Sequence, residues 1–367
     1  MLRSEPLVRN KEVLRASYTP PRLLHREAEA RALARVLAPA LQGARASHVL
    51  VTGRHGSGRS ALVRYVAKEL LAAAAQQGLA VAVVHLDCEL VDTPYRVLAH
   101  VANHFISGWT ERIPPTGLAT GEVYERLRSR MDEAEAACVV VLDGLDRFVR
   151  KNGSGALASL FTLADGLTRS RLCVVGIAES GEFLDWVDPF VKERLSEASP
   201  INLAPYDAAQ LRAILRERST MALREGCLAE EAFDACVDAV SRNRHLAHGL
   251  GVLRMAAELA EQSGEGRVRV EHVVARDASP DAACPSELYR RGRGDPLSHD
   301  GRGVRDVPRL DAPGACGRTH QAPRGRPPRR SRRGWRAPGA RHLAGSLRSD
   351  ESHWVARARS HHAGYPR

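Results

Sequence analysis

The sequence predicts an α/β protein in which a parallel sheet with helices on both faces is followed by an all-helical domain. Short runs of β-branched residues alternate with helical stretches through the first half of the chain, a pattern typical of buried parallel strands. A glycine-rich segment, residues 53–60, separates the first predicted strand from a helix. After Pro205 the helical pattern continues without strands, which indicates a second domain built from helices alone.

The elements of the first domain follow one another at short intervals. A helix is predicted from Pro21, because the apolar residues that follow lie mostly on one face of a helix. This face consists of Leu23, Leu33, Val36, Leu37 and Leu41. Two further helices are predicted, one that begins around Asp92 with Pro94 in its first turn and a charged one over about 121–135. Strands are predicted at residues 48–52, 80–86, 138–142, 172–177 and 201–203.

The second domain begins with a helix-capping signal. Asp207 is followed three residues later by Gln210, the spacing of a capping box. Helices are predicted over about 208–218, 228–241 and 247–262. We therefore divide the chain into an N-terminal extension (1–20), an α/β core (21–205), a helical domain (206–278) and a tail (279–367).

Composition excludes several classes of protein. A chain of 367 residues is too long for one ordinary core, and 44% hydrophobic residues exclude a chain disordered throughout. No apolar run approaches the ~20 residues of a membrane helix, and we expect no membrane partner and no secretory signal. The seven cysteines form no CxxC pair, which argues against a zinc ribbon and a disulfide framework.

The net charge of +11 lies entirely in the tail. Residues 281–367 hold 19 arginines, no lysine and 8 acidic residues, whereas residues 1–280 hold 35 basic and 35 acidic residues. One interpretation is a disordered basic arm that binds phosphates without sequence preference. Its cluster PRGRPPRRSRR, which starts at Pro323, also has the composition of a nuclear localisation signal. The other interpretation is a shifted reading frame in a GC-rich gene, which produces text rich in Arg, Gly, Pro and His.

The glycine-rich segment has the spacing of a phosphate-binding loop. Its glycines, Gly53, Gly56 and Gly58, would let backbone N–H groups close around phosphates, with Ser57 between them. Arg59 occupies the place of the usual lysine and keeps its charge, although its larger forked group is not equivalent. Ser60, which follows Arg59, would bind Mg²⁺. The alternative is a glycine-rich turn that binds nothing.

A second candidate site residue closes the third strand. Asp143 follows an apolar run and precedes Gly144, a position from which an aspartate holds Mg²⁺ beside a phosphate loop. The alternative role for Asp143 is a cap of the strand end. An active ATPase of this kind normally carries a glutamate after the aspartate to orient the attacking water. Gly144 has no side chain, so the sequence predicts little or no ATP hydrolysis.

Three stretches together resemble the AAA+ module of origin recognition complex subunit 4. They are SHVLVTGRHGSGRSALVRYVAKELL, VAVVHLDCELVDTPYRVLAHVANHF, and the segment from CVVVLDGLDRF through VVGIAESGEF to VKERL. The helical start NLAPYDAAQLRAILRER resembles the lid of initiator ATPases. The resemblance implies a AAA+ P-loop core with a helical lid over about 21–278. It also implies a site for ATP and Mg²⁺ formed by the loop and Asp143.

The resemblance implies a function in the initiation of DNA replication. The protein would be a nuclear subunit of the origin recognition complex that binds double-stranded DNA with the other subunits, especially subunit 1, and helps to load the replicative helicase. Arg194, in VKERL, corresponds to an arginine finger that points into a neighbour's ATP site. The alternative is a surface arginine paired with Glu193 or Glu197. The family also carries a C-terminal winged helix, which residues 281–367 do not resemble.

Departures from the family pattern bear on the competing functions. Family members usually place Asn or Thr, which reads the γ-phosphate, where this chain has Ala178. The lid residue that would touch nucleotide remains open among Arg244, His248 and Arg254. An autonomous initiator-like or signalling NTPase is the main alternative function, and Gly144 and Ala178 argue against it. A clamp-loader subunit is a further alternative, which the absence of zinc-ligand cysteines disfavours.

Overall fold

The computed structural model describes residues 6–243 and 246–277, and for residues 242, 243 and 277 it describes the backbone alone. The strands are β1 (Val49–Gly53), β2 (Val81–Asp87), β3 (Ala137–Asp143), β4 (Arg171–Ala178) and β5 (Ile201–Leu203). The helices of the core are α1 (Glu27–Leu37), α2 (Arg59–Gln77), α3 (Pro94–His104), α4 (Thr120–Ala134), α5 (Leu145–Asn152), α6 (Gly155–Gly166) and α7 (Pro189–Leu195). Those of the helical domain are α8 (Ala208–Ala222), α9 (Glu230–Asn243), α10 (Leu246–Gln262) and α11 (Val270–Asp277).

In the described part of the chain, the five strands form one parallel sheet in the order β2-β3-β4-β1-β5. Helices α3 to α7 cover one face and α1 with α2 the other, so β3 and β4 are buried along almost their whole length. The predicted fold class, a parallel α/β core followed by a helical domain, is confirmed. The sheet brings the carboxyl ends of β1, β3 and β4 to one edge, where the candidate site lies.

Most element boundaries differ from the predicted ones by a few residues. Helix α1 begins at Glu27 rather than Pro21, because His25 lies in the left-handed region (φ 60°) and interrupts the chain just before it. Helix α11, which the sequence did not predict, is only eight residues long and buries Val273 against the helical domain. The tail, residues 279–367, lies outside the described residues, so the basic arm and the shifted reading frame both stay predictions.

The N-terminal segment belongs to the core of the helical domain. Leu7, Val8, Val13 and Leu14 are each at most 5% exposed and pack among the helices α8 to α10. The backbone of Arg224 donates to the carbonyl of Leu7 at 2.8 Å. This segment has no sequence periodicity, because backbone pairing and a short 3-10 turn hold it rather than a regular helix or strand. The extension predicted for residues 1–20 is therefore, over its described part, an integral piece of the helical domain.

The first helix of that domain shows the capping box that the sequence predicted. The side chain of Asp207 accepts from the amide of Gln210 at 2.8 Å, and the Gln210 side chain accepts from the amide of Asp207 at 3.1 Å. These two bonds fix the start of α8 directly after the strand β5 and its connecting segment. Within the described residues, none of the helices has both the length and the apolar character needed to cross a membrane.

Candidate nucleotide-binding site

The glycine-rich loop joins β1 to α2 at the carboxyl edge of the sheet. Three of its glycines have positive φ, with values of 150° at Gly53, 80° at Gly56 and 91° at Gly58. Side chains are disfavoured in these conformations, which explains why the sequence has glycine at all three positions. Gly58 caps the first turn of α2, so the free N–H groups of that turn face the loop.

Two of the loop glycines also lie too close to neighbouring atoms for a side chain. A Cβ at Gly53 would come within 2.6 Å of the Leu203 carbonyl oxygen, and one at Gly58 within 2.7 Å of the Tyr206 hydroxyl. Arg26 stacks over the Tyr206 ring at 4.2 Å and also donates to the carbonyl of Ala204. The segment that connects the core to the helical domain therefore packs directly against the phosphate loop.

Ser57 provides a test of whether the loop fits a phosphate. Its side chain is 1% exposed, and the hydroxyl has no hydrogen-bond partner among the described residues. A buried hydroxyl without a partner is destabilising, unless another group supplies the missing bond. The positive-φ glycines, the helix start and this hydroxyl together fit a bound phosphate group.

Asp143 meets Ser60 at the end of β3. The Ser60 hydroxyl donates to the carboxylate, and His85 Nε2 lies 3.6 Å from Asp143 Oδ2. Burial opposes ionisation of Asp143, but the side chains of His85 and Ser60 beside it and the charge of Arg64 outweigh this effect, so the pKa of Asp143 is lowered. The carboxylate is therefore ionised at neutral pH and, with Ser60, fits a Mg²⁺ ion bound together with phosphates. Sequence reasoning found both residues but missed His85 and Arg64.

Arg59 begins α2 and extends into the cluster of charges at the sheet edge. Burial lowers the pKa of its guanidinium, and the carboxylates Glu179, Asp143 and Asp146 partly offset this effect. The group stays charged at any physiological pH, because its ordinary pKa is far above 7. Arg59 thus retains the positive charge that the usual lysine would bring to a phosphate.

The position after Asp143 brings no side chain to the site. Gly144 has φ 82°, in the left-handed region that favours glycine, although a Cβ there would meet only Cys88 at 4.0 Å. The next acid along the chain, Asp146, is buried, and its Oδ2 accepts from the Glu179 amide at 3.3 Å. Asp146 therefore holds the end of β4.

At the end of β4 it is Glu179, and not Ala178, whose side chain lies beside the phosphate loop. Ala178 is fully buried in the core on the face of the sheet that α3 to α7 cover. Glu179 follows directly, and its carboxylate accepts from Arg147 Nη2 at 3.1 Å and lies 4.0 Å from His55 Nδ1 in the phosphate loop. The polar residue that faces the loop at the end of β4 is thus Glu179. Sequence reasoning missed it because the strand ends at Ala178, one residue later than predicted.

Arg194 lies near the end of α7 and is held within the chain. Its Nη1 donates to Glu197 at 3.0 Å and its Nη2 donates to Asp165, while Arg45 binds the same two carboxylates. The hydrogen bond to Glu197, with the charge of Asp165, raises the pKa of Arg194 above its usual value. The pairing with Glu197 matches the structural alternative given for this residue, and Asp165 adds a partner that the sequence did not indicate.

Two of the three lid residues left open as nucleotide contacts, His248 and Arg254, lie on α10. Arg244 lies outside the described residues, and His248 is buried inside α10. Arg254 is half-buried on the same helix. Among residues 6–243 and 246–277 there is also no cluster of three or more His, Cys, Asp or Glu side chains that could hold a metal by themselves.

The fold and the loop together define a AAA+ module with its helical lid. Residues 22–175 match the family described as AAA ATPase domain, and residues 212–278 match the Cdc6 AAA+ ATPase-type lid domain. The chain is 38% identical over 293 residues to an ORC1-type DNA replication protein of Methanocorpusculum labreanum, covering 77% of this chain and 68% of that protein. This chain belongs to the family of ORC1-type DNA replication proteins.

Other relatives carry the same description or the same fold. An ORC1-type protein of Pyrococcus abyssi is 38% identical over 274 residues, 74% of this chain and 65% of that protein, so the chain spans about two thirds of the length of these relatives. The structure of the Aeropyrum pernix ORC1 protein in complex with DNA superposes with a TM-score of 0.67 at 36% identity, covering 74% and 69% of the two chains. The ADP form of Aeropyrum pernix ORC2, at 20% identity and TM-score 0.66, shares the fold.

These relatives correct the resemblance inferred from the sequence. The matching proteins are ORC1-type rather than subunit 4, so the assignment to subunit 4 has no support. The curated relatives named here come from archaea, so the nuclear location implied by subunit 4 gains no support from them. The coarser inference, a AAA+ core with a helical lid of the origin recognition type, is confirmed.

Proposed function

We propose that this protein is a replication initiator that binds duplex DNA, holds ATP or ADP in its phosphate loop and hydrolyses ATP slowly or not at all. The proposal rests on one observation. The loop closes with three positive-φ glycines beside the Ser60–Asp143 pair, in a chain that is 36% identical to a protein whose structure is in complex with DNA. The chain spans only part of its relatives, so DNA, nucleotide and partners are proposals for this protein.

The residues at the sheet edge would divide the binding of Mg²⁺ and nucleotide among them. The loop amides from Gly53 to Ser60, the Ser57 hydroxyl and the Arg59 charge would hold the phosphates. Ser60 and Asp143 would hold Mg²⁺. ATP, when bound, would supply a phosphoanhydride bond and the negative charge that the loop amides and Arg59 neutralise. Gly144 leaves no carboxylate at the position from which a water is oriented, so the bound ATP would persist as a structural ligand.

DNA binding is the test of the proposed function as a whole. The tail supplies the entire charge excess, so we expect the full chain to bind any duplex with an affinity that falls steeply as salt rises. Replacing the six arginines of its basic cluster by glutamine should lower the slope of log affinity against log salt by several units. They are Arg324, Arg326, Arg329, Arg330, Arg332 and Arg333. Fluorescence anisotropy with a labelled duplex between about 50 and 200 mM salt measures both the affinity of the full chain and the salt slope of the variant.

Two results would count against this part of the proposal. No duplex binding at 50 mM salt would contradict the DNA-binding function. An unchanged slope in the glutamine variant would show that the tail is not a phosphate-binding arm. The alternative origin of the tail, a shifted reading frame, is checked by the nucleotide sequence around codon 280: an overlapping frame that encodes an amphipathic winged helix would establish it.

We also propose that the protein acts beside another AAA+ subunit and that Arg194 completes the neighbour's ATP site. A guanidinium can donate two hydrogen bonds to a γ-phosphate, whose oxygens would replace Asp165 and Glu197 as its partners. Arg194→Ala should then leave assembly intact while ATP hydrolysis by the assembled complex falls by ~10³. Arg194→Lys should rescue little, because lysine lacks the fork.

The internal partners of Arg194 require a matched control. Arg45 binds the same two carboxylates, so Arg45→Ala disturbs the charge cluster but leaves Arg194 in place. Hydrolysis by the complex should survive Arg45→Ala and be lost in Arg194→Ala. If both variants or neither lose hydrolysis, Arg194 only stabilises the end of α7. Phosphate release by the reconstituted complex is the measurement.

A further inference from the structure

Glu179 is fixed between the phosphate loop and the end of β3. Its carbonyl accepts from the amide of Gly53, the first loop glycine, at 3.3 Å. Its own amide donates to Asp146 Oδ2, also at 3.3 Å. Since β4 lies between β3 and β1 in the sheet, this residue occupies the centre of the edge at which the loop begins. Its backbone position is therefore set by the same strands that form the site.

The Glu179 side chain faces the loop and is about one third exposed. The carboxylate accepts from Arg147 Nη2 at 3.1 Å, and His55 of the loop lies 4.0 Å from it. Arg147 also pairs with Glu89, so one guanidinium serves two carboxylates. Among the charged neighbours of Arg59, Glu179 contributes most to keeping that guanidinium ionised. The carboxylate that acts most strongly on the loop arginine is thus one held at the end of β4.

A bound phosphate chain would have to share Arg59 with this carboxylate. Each additional phosphate adds negative charge near Glu179, and charges of the same sign repel. ATP carries one more negative charge than ADP, so Glu179 penalises ATP more than ADP. In general, at an effective dielectric constant of about 20, one extra unit charge at a distance on the order of 10 Å changes affinity roughly tenfold.

We propose that Glu179 is a specificity-determining residue that makes this site prefer ADP to ATP. This inference rests on the proposed nucleotide-binding function and adds a selectivity to it. The protein would then keep ADP bound at nucleotide concentrations that load ATP into a site without this carboxylate. The neutral, nearly isosteric variant Glu179→Gln keeps the shape of the site and removes the charge.

Isothermal titration calorimetry of the full chain with Mg-ATP and with Mg-ADP tests the proposal. The wild type should bind ADP more tightly than ATP. In Glu179→Gln the ratio of the two dissociation constants should shift roughly tenfold toward ATP. Glu179→Asp retains the charge and should retain the preference for ADP. Glu182→Gln is the matched control, because it removes the charge of an exposed carboxylate three residues after Glu179. It should leave the ratio unchanged.

The outcomes separate this inference from the proposed function. If the wild type binds both nucleotides and Glu179→Gln does not change their ratio, the selectivity assignment is wrong while nucleotide binding stands. If Glu182→Gln shifts the ratio as much as Glu179→Gln, the effect is one of general charge and the assignment is again wrong. If the wild type binds neither nucleotide, the proposed nucleotide function falls, and this inference falls with it.

Discussion

The double variant Ser60→Ala/Asp143→Ala is expected to bind Mg-ATP at least about 100-fold more weakly than the wild type. Asp143 is ionised and accepts from Ser60, so the two together supply the oxygen ligands that would hold Mg²⁺ beside the phosphates. Losing them removes the cation that neutralises the phosphates, while the loop amides, the Ser57 hydroxyl and the Arg59 charge remain. A 100-fold loss corresponds to about 2.7 kcal/mol of binding free energy. Titration with a fluorescent ATP analogue in the presence of Mg²⁺ measures this loss.

A control for the double variant removes the same two functional groups elsewhere. Ser129→Ala/Asp185→Ala replaces two exposed side chains, whose hydrogen-bond and ion-pair partners are Glu133 and Lys192, away from the loop. It should bind the analogue like the wild type. Each single variant at the site should fall between the wild type and the double variant. Equal binding by wild type and double variant would mean that the loop holds nucleotide without a metal at Asp143.

Arg218→Met is expected to destabilise the helical domain by about 3 kcal/mol. Arg218 is 5% exposed, and its guanidinium donates to the carbonyls of Val13 at 3.1 Å and Tyr18 at 3.3 Å. It also stacks over the Tyr18 ring at 4.5 Å. Methionine fills much of the volume but leaves two carbonyls without a donor, and each costs about 1–3 kcal/mol where it is buried. The N-terminal segment should therefore detach from the domain.

Hydrogen exchange reports this change separately for each helix. In Arg218→Met the amides of α8 to α10 should exchange roughly 100-fold faster, while those of β3 and β4 change little. Arg212→Met on the same helix is the control, because Arg212 is exposed and its ion pairs contribute about 1 kcal/mol or less. If Arg212→Met and Arg218→Met have equal effects, the buried contacts with the N-terminal segment do not hold the domain together.

The phosphate loop was predictable from sequence because its requirements are local. Positive φ at three positions demands glycine, and a short apolar run directly before the loop marks a buried strand. The capping box at Asp207 was predictable for the same reason, since both partners lie within four residues. The lack of a side chain at Gly144 was also visible, and the structure adds that its backbone conformation favours glycine.

Features set by distant contacts could not be predicted from sequence. Leu7 and Leu14 have no periodic neighbours, and their burial depends on helices that lie more than 200 residues along the chain. The role of Glu179 depends on the exact end of β4, and a shift of one residue exchanges a buried side chain for one that faces the loop. The ionic partner Asp165 of Arg194 lies 29 residues earlier, on another helix.

The identity of the family member was the least predictable feature. The ordered motifs on which the resemblance to subunit 4 depended are also present in a chain whose relatives are ORC1-type, so they define the AAA+ initiator core rather than one subunit. The residues on which the proposed handling of nucleotide depends, Arg59, Gly144 and Glu179, lie in that same core. They bear on what the site does with nucleotide.

A single-turnover experiment tests the central claim, that the site binds ATP without hydrolysing it. The full chain, in excess, is mixed with a trace of ATP labelled on the γ-phosphate and Mg²⁺, and the bound label is followed by filter retention and chromatography. We expect the wild type to retain the label as intact ATP and Ser60→Ala/Asp143→Ala to retain none. Release of labelled phosphate at about 1 s⁻¹, a turnover ordinary for an active enzyme, would contradict it.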